Sequence, residues 1–365
     1  MASMEQRLGE LREDIDRIDR ELLQLLNKRA DISLEVGRIK AEDRTQVYKP
    51  FREQEVLRRL ADMNSGPLPE KHLKAIYREI LSSSRRLQRP ERLVYLGPEG
   101  TFSYFVGLQT MGRSVDMLPK NNFDDIFTAV STGEADLGLV PLENSIRGSV
   151  GRNLDLFMQY PVHIQAEAFA RVSISLLSTA PSMADISKVY SHPKALEQCE
   201  LWLKKNLPGA RVIPADSTAA AARLVADNPD SAAVGHVRLA DMYGLRILAE
   251  HLEDLPDNWT RFLIIGSEPC SEGVRDKTSI LFSTADRPGA LAKVLQILAS
   301  GSINLTKLES RPMQAEKWRY VFFADLQCDL SGREYSTVLD ALRQECNTLR
   351  VLGSYPSGLQ LETQR

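Results

Sequence analysis

The residues that invite a chemical reading are charged and polar side chains standing where a helix should be apolar. Leu8, Leu11, Ile15, Ile18, Leu22, Leu25, Ile32, Val36 and Ile39 follow one another largely at steps of three and four, the stripe of an amphipathic helix. Arg29 fills the slot between Leu25 and Ile32, and Lys40 lies on the edge of the stripe, four residues after Val36. A second segment puts Glu53 in line with Val56, Leu57, Leu60 and Met63; a third runs Leu73, Ile76 and Ile80 into Ser84 and Gln88 on one face. A charge in a core is costly unless it is paired or faces a cavity. Singly, the charged ones read as internal salt bridges, Glu53 with Arg29 or Lys40. Together they point to a pocket for an anion. Arg29 and Lys40 are about 16 Å apart along the helix and about 20° apart around it, so they can hold the two ends of a small dianion. Arg12 lies about 26 Å from Arg29 and about 100° around the helix. It cannot reach the same ligand from the same chain, but it can from a second copy.

Further along, three loops carry polar groups at strand ends. GPEGTFS (97–103) follows RLVYL and should open a helix whose free N–H groups suit an anion. It lacks the lysine of a phosphate loop and the spacing of a dinucleotide fingerprint. PLENSIRGSV (141–150) ends the run LGLV with a carboxylate, an amide and hydroxyls, and DNWTRFLIIG (257–266) sets Thr260 and Arg261 just before a buried strand. Any one of them alone is ordinary loop punctuation.

Three textures divide the elements that must position these groups. Residues 1–90 read as a long helix, a break at 42–50, a helix from about Pro50, a turn at 64–69 and a third helix, an all-α domain. Residues 92–268 alternate short β-rich runs (RLVYLG, ADLGLVPLE, SISLLS, KVYSH, SAAVG, RFLIIG) with helices, an α/β pattern. Residues 277–357 read β-α-β-β-α-β, a ferredoxin-like α+β module. The chain has 365 residues, 43% of them apolar, which suits two or three packed domains. Its 46 basic and 49 acidic residues nearly cancel, leaving a net charge of −3 and no reason to expect nucleic acid or an anionic membrane as partner. The N-terminus has no signal-like apolar core, and no run reaches the roughly 18 apolar residues of a membrane span. The scattered Cys199, Cys270, Cys328 and Cys346 read as reduced cytoplasmic thiols, and no histidine or cysteine spacing points to a metal.

At the level of motifs, LREDIDRIDRELLQLLNKRADISLEVGRIK, FREQEVL and SSSRRLQ resemble the all-helical chorismate mutases over residues 5–90. The resemblance implies that Arg12 of a partner subunit, with Arg29, Lys40, Arg52, Glu53, Ser84 and Gln88, binds chorismate. Arg12 and Arg29 would grip carboxylates, and Lys40 and Gln88 would act on the ether oxygen. Lys49 departs from the acidic residue many relatives carry near the substrate hydroxyl.

VPLENS, SHP (191–193) with Gln198, DSTAAAA (216–222), YGL (243–245) and N-x-T-R-F (258–262) resemble prephenate dehydratase, in the family order. That implies a cleft between two α/β lobes, like those of periplasmic solute-binding proteins, with the chain crossing near residue 170 and returning near 250. In it Thr260 would serve as acid or hydroxyl donor and Arg261 as carboxylate anchor. Glu143, Asn144, Ser145, Gln198, Ser217, Thr218 and Phe262 would line the cleft, while His192 and His163 would play structural roles.

The last module is similar to ACT domains. RPGAL (287–291) and ESRP (309–312) imply a phenylalanine site built from Gly289, Ala290, Leu291, Glu309, Ser310, Arg311 and Pro312. The expectation is therefore a bifunctional chorismate mutase/prephenate dehydratase of phenylalanine biosynthesis. It would be cytoplasmic, cofactor-free, feedback-inhibited by L-phenylalanine, and a homodimer through the helical domain or a larger oligomer. The competing expectations are a dehydratase with a purely structural helical dimeriser, and a sensor without activity.

Overall fold

A helix of forty residues, α1 (Met4–Asp43), begins the chain, followed by α2 (Pro50–Met63), which opens on a proline, and α3 (Glu70–Gln88). The structure is a computed structural model and describes residues 4–43, 48–146, 148–270, 273, 275–312 and 320–361. The chain divides into two compact units. One comprises residues 1–49, 57–91 and 111–115; the other holds the rest.

In the first unit α1 packs along α3. Gly37 sets the approach: a Cβ there would lie 2.7 Å from Gln88 Cα, so only glycine lets the backbones come this close. The apolar stripe of α1 does not find a core within one chain. Ile15 is 58% exposed, Leu25 60% and Ile32 61%, whereas Leu73 on α3 is 8% exposed.

The second unit begins its sheets with β1 (Arg92–Leu96), α4 (Phe102–Met111), β2 (Asp116–Lys120), α5 (Phe123–Ser131), β3 (Leu137–Asn144), β4 (Gly148–Ser149), α6 (Gly151–Gln159) and β5 (His163–Arg171). The chain then builds a second sheet from β6 (Ser175–Ser178), β7 (Lys188–Ser191), α7 (Pro193–Gln198), α8 (Glu200–Asn206), β8 (Arg211–Pro214), α9 (Thr218–Ala226), β9 (Ser231–Gly235), α10 (Leu239–Tyr243) and β10 (Arg246–Ala249). It returns in β11 (Trp259–Gly266), which lies antiparallel between β3 and β5. The chain crosses after Arg171 and returns between Ala249 and Trp259, where the family resemblance implied crossings near 170 and 250.

The last module runs β12 (Lys277–Thr284), α11 (Ala290–Ser300), β13 (Leu305–Pro312), β14 (Tyr320–Leu326), α12 (Ser336–Glu345) and β15 (Cys346–Tyr355), with sheet order β13-β14-β12-β15. Both faces of its sheet are covered. Ile280, Phe282, Ala324 and Leu326 pack under the two helices. Their alternates Leu281, Val321 and Phe323 join Leu154, Phe157 and Ile164 in one core with the first lobe. A final strand, β16 (Leu359–Leu361), leaves the module and pairs with β5.

Candidate active sites

In the helical unit the close crossing at Gly37 brings the end of α3 against α1. Three residues past Gly37, Lys40 Nζ donates to Gln88 Oε1 at 3.0 Å. One turn back on α3, Arg29 donates to the Ser84 hydroxyl, which itself donates to Ile80 O at 2.8 Å, and Ser33 braces the Arg29 backbone at 3.0 Å. Among the described residues Arg29 meets this neutral hydroxyl, so its positive charge is not cancelled and remains available to an anion. Arg12 is exposed on the same helix. Arg52, one residue before Glu53, pairs with Glu55 at 2.6 Å in the first turns of α2, a stretch (residues 50–56) that groups with the second unit.

The second site forms where β3 and β11 run side by side, with Asn144 opposite Thr260 and Glu143 opposite Arg261. Alternation sends neighbours to opposite faces. Thr260 and Phe262 face a cavity of about 300 Å³ whose far wall, from the second sheet, includes His192, Lys194, Gln198, Ser217 and Thr218. The 97–103 loop contributes Thr101, Phe102 and Ser103. Asn144 Nδ2 donates to Thr260 Oγ1 at 3.0 Å, to Asn258 Oδ1 at 2.6 Å and to Trp259 O at 3.1 Å. Its Oδ1 accepts from the Ile146 backbone N–H at 3.1 Å, which settles the orientation of the amide. Because Thr260 accepts from Asn144, its own hydroxyl hydrogen is left for the cavity. Ser145 does not line the cavity; its hydroxyl ties the loop together, donating to Asp257 O at 3.1 Å and accepting from Trp259 N at 2.9 Å.

Two expectations fail here for the same geometric reason. Arg261 and Glu143 point away from the cavity. Arg261 is 4% exposed and bonds Glu167 at 2.7 Å, Glu143 at 3.0 Å and Asp325 of β14. Glu143 also receives Lys307 of β13 at 2.6 Å. Burial pushes the Glu143 carboxyl up, but hydrogen bonds from Lys307 and Arg261 outweigh it and hold the group below its ordinary value. The cations that line the cavity are Arg171, at the end of β5, and Lys194, on α7. His192 belongs there as well. Its Nδ1 accepts the Lys194 backbone N–H at 3.2 Å, and burial, with the Lys194 charge adding, lowers its pKa, so the neutral ring carries its proton on Nε2. His163 sits at the opposite end of β5 from Arg171.

In the last module a cavity of about 250 Å³ opens at the start of α11, lined by Arg287, Gly289, Ala290 and Leu291 with Tyr320 and Phe322 of β14. Of the ESRP residues, Ser310 and Pro312 pair across the strand with Phe322 and Tyr320, beside this wall. Glu309 and Arg311 do not join them. Glu309 accepts from Ser149 and pairs with Lys307 at 3.1 Å, while Arg311 binds Asp155 of α6 at 2.9 Å.

Family comparisons agree with this three-part layout. Residues 11–89 match chorismate mutase type II, 93–270 prephenate dehydratase, and 278–347 the ACT domain. The bifunctional chorismate mutase/prephenate dehydratase of Aquifex aeolicus is 41% identical over 97% of this chain and 99% of its own length. The chain belongs to this bifunctional family.

The Escherichia coli K12 member is 30% identical over 95% of both chains. Among solved structures, the prephenate dehydratase of Arthrobacter aurescens, in complex with L-Phe, is 32% identical with a TM-score of 0.66, covering 73% of this chain and 89% of its own. Set beside the mutase/dehydratase motifs, the structure brings together Arg29 with Ser84, Lys40 with Gln88, and Thr260, Phe262, Gln198, Ser217 and Thr218 with Asn144 behind them. It separates Arg261, Glu143, Glu309 and Arg311 from the cavities assigned to them. Arg171 went unremarked in the sequence because the segment holding it, HIQAEAFAR, has too few β-branched residues to read as a strand; Lys194 directly follows the SHP motif.

Proposed function

We infer that the chain converts chorismate to prephenate in the helical pocket and prephenate to phenylpyruvate in the cleft, with L-phenylalanine as its effector. The dehydratase assignment is carried by one observation: a hydroxyl, Thr260, that accepts from Asn144 and faces a cavity lined by two cations. The reaction sends the electrons of the ring-carboxylate C–C bond into the ring as CO2 departs, and expels hydroxide from the opposite ring carbon. The hydroxide needs a proton. Thr260 donates its hydrogen to that oxygen, Asn144 supports the charge Thr260 then gathers, and solvent supplies the net proton, which leaves as water. Arg171 and Lys194 hold the pyruvyl carboxylate, which survives the reaction. A cation fixed on the departing carboxylate would stabilise the ground state and oppose its loss.

The mutase step needs no nucleophile. Arg29 holds a carboxylate, and Lys40 with Gln88 donates to the ether oxygen as its bond breaks, where charge develops. The bare stripe of α1 supports a homodimer in which the partner's α1 covers it and supplies Arg12. The ACT cavity at 287–291 takes L-phenylalanine, its helix-start N–H groups receiving the carboxylate. Four buried cysteines, none of them in a disulfide, support a reducing, cytoplasmic setting.

Full-length protein incubated with chorismate should accumulate phenylpyruvate, and Arg171→Leu should raise the KM for prephenate at least tenfold with the mutase unaltered. No phenylpyruvate from either chorismate or prephenate refutes the assignment.

A further inference from the structure

The strand pair that presents Asn144 and Thr260 to the cleft has a second face, and that face is held by the regulatory sheet. Glu143 and Arg261 are the immediate neighbours of Asn144 and Thr260, are paired with each other across the strands, and project to the opposite side. There Arg261 meets Asp325 of β14, and Glu143 meets Lys307 of β13. Lys277 of β12 completes the group by pairing with Glu167 at 2.6 Å, the second carboxylate on Arg261.

Three cations (Arg261, Lys277, Lys307) are interleaved with four carboxylates (Glu143, Glu167, Asp325 and Glu309, which also meets Lys307 at 3.1 Å). Their side chains are all mostly buried, from 0% exposed at Glu167 to 29% at Glu143. A buried charge set of this kind tolerates few arrangements, because moving one member leaves an uncompensated charge. It is a stiff mount for the strands it grips. The hydrophobic core continues across the same boundary, through Phe157 of α6 and Phe323 of β14, so the mount has no slack.

We propose that Asp325 and Lys307, residues of the regulatory sheet, are positioning residues for dehydration: they set the register of Arg261 and Glu143 and thereby the place of Thr260 and Asn144 in the cleft. The inference rests on the reading of Thr260 as the dehydratase hydroxyl. It also identifies the element through which an effector acts. Phe322, which lines the cavity at the start of α11, lies three residues before Asp325 on the same strand. A ligand that displaces β14 at Phe322 moves the carboxylate that holds Arg261. The regulatory module is then the back wall of the active site, not an appended sensor.

The test uses the full chain and measures both activities of each variant, with Thr260→Val as reference. Asp325→Asn keeps the shape and removes the charge. Its dehydratase kcat should fall roughly tenfold to a hundredfold, the cost of a misplacement near 1 Å, with KM for prephenate within about threefold and the mutase rate unchanged. In an Arg261→Met background Asp325→Asn should have little further effect on kcat, because the path is already cut. Lys307→Met, at a more accessible position, should lower kcat in the same way and decides the matter if Asp325→Asn does not fold. A kcat within twofold of the parent in Asp325→Asn and Lys307→Met overturns the proposal. So does an equal fall in both activities of Lys307→Met, which would report lost folded protein and no selective effect on the cleft. If Thr260→Val itself turns over normally, it is the reading of the cleft that has failed.

Discussion

Replacing Thr260 by valine isolates one hydrogen. Valine keeps the β-branched shape that suits β11 and fills the same space beside Phe262, so the strand and cavity should persist. The lost oxygen accepts one bond, from Asn144 at 3.0 Å, but that amide keeps Asn258 Oδ1 at 2.6 Å and Trp259 O at 3.1 Å. No buried donor is stranded, so the stability cost should stay below about 1 kcal/mol. On the proposed mechanism, catalysis loses the group that meets the departing hydroxide. A positioned proton or hydrogen-bond donor contributes about 10²–10⁴-fold, or about 3–5 kcal/mol of barrier. Phenylpyruvate absorbance should therefore show kcat down by that factor, with KM within about threefold because the carboxylate anchors are untouched. Chorismate consumption should proceed at the parent rate. Thr260→Ser, which restores the hydroxyl with a looser rotamer, should recover all but about tenfold. A Thr260→Val enzyme within tenfold of the parent would refute the assignment of the hydroxyl, and unfolding would refute the reasoning about Asn144.

Other perturbations probe other parts of the molecule. Lys40→Met should slow the mutase by about 10²–10³-fold, the usual value of one donor to a developing oxyanion, and leave prephenate dehydration within twofold; progress curves on the two substrates check it. Leu25→Glu on the bare stripe of α1 should halve the mass seen by sedimentation and abolish the mutase; a parental mass would refute dimerisation through this face. His236 is stacked on Phe105 at 4.2 Å, and burial, with Arg238 adding, pushes its pKa down to about 3. The unfolded chain binds that proton near pH 6.5, so acid below that value favours unfolding, increasingly so down to about pH 3. His236→Phe should thus gain stability relative to the parent by on the order of 2 kcal/mol between pH 7.5 and pH 5, measured by denaturant titration. A pH-independent difference would contradict this.

Period and punctuation carried a great deal. A stripe with steps of three and four, interrupted at Arg29 and Lys40, is set by the geometry of a single helix, and Ser84 and Gln88 follow from the same rule on a second one. The placement of Thr260 before the apolar run of β11, and of RPGAL at the start of α11, is local chemistry as well. Strand alternation could even have warned that Arg261 and Thr260 cannot share a face. What the linear order could not supply is the sign of each face, because that depends on which surface another strand or sheet covers. The C-terminal sheet lies against one side of β3 and β11, and so Glu143 and Arg261 became structural ions and the cations of the cleft became Arg171 and Lys194. Glu309 and Arg311 were claimed by Ser149 and Asp155 for the same reason. Side-chain types and spacings are fixed along the chain, but burial is a property of what packs opposite, and only the assembled sheets decided which charges would face a ligand and which would hold the walls in place.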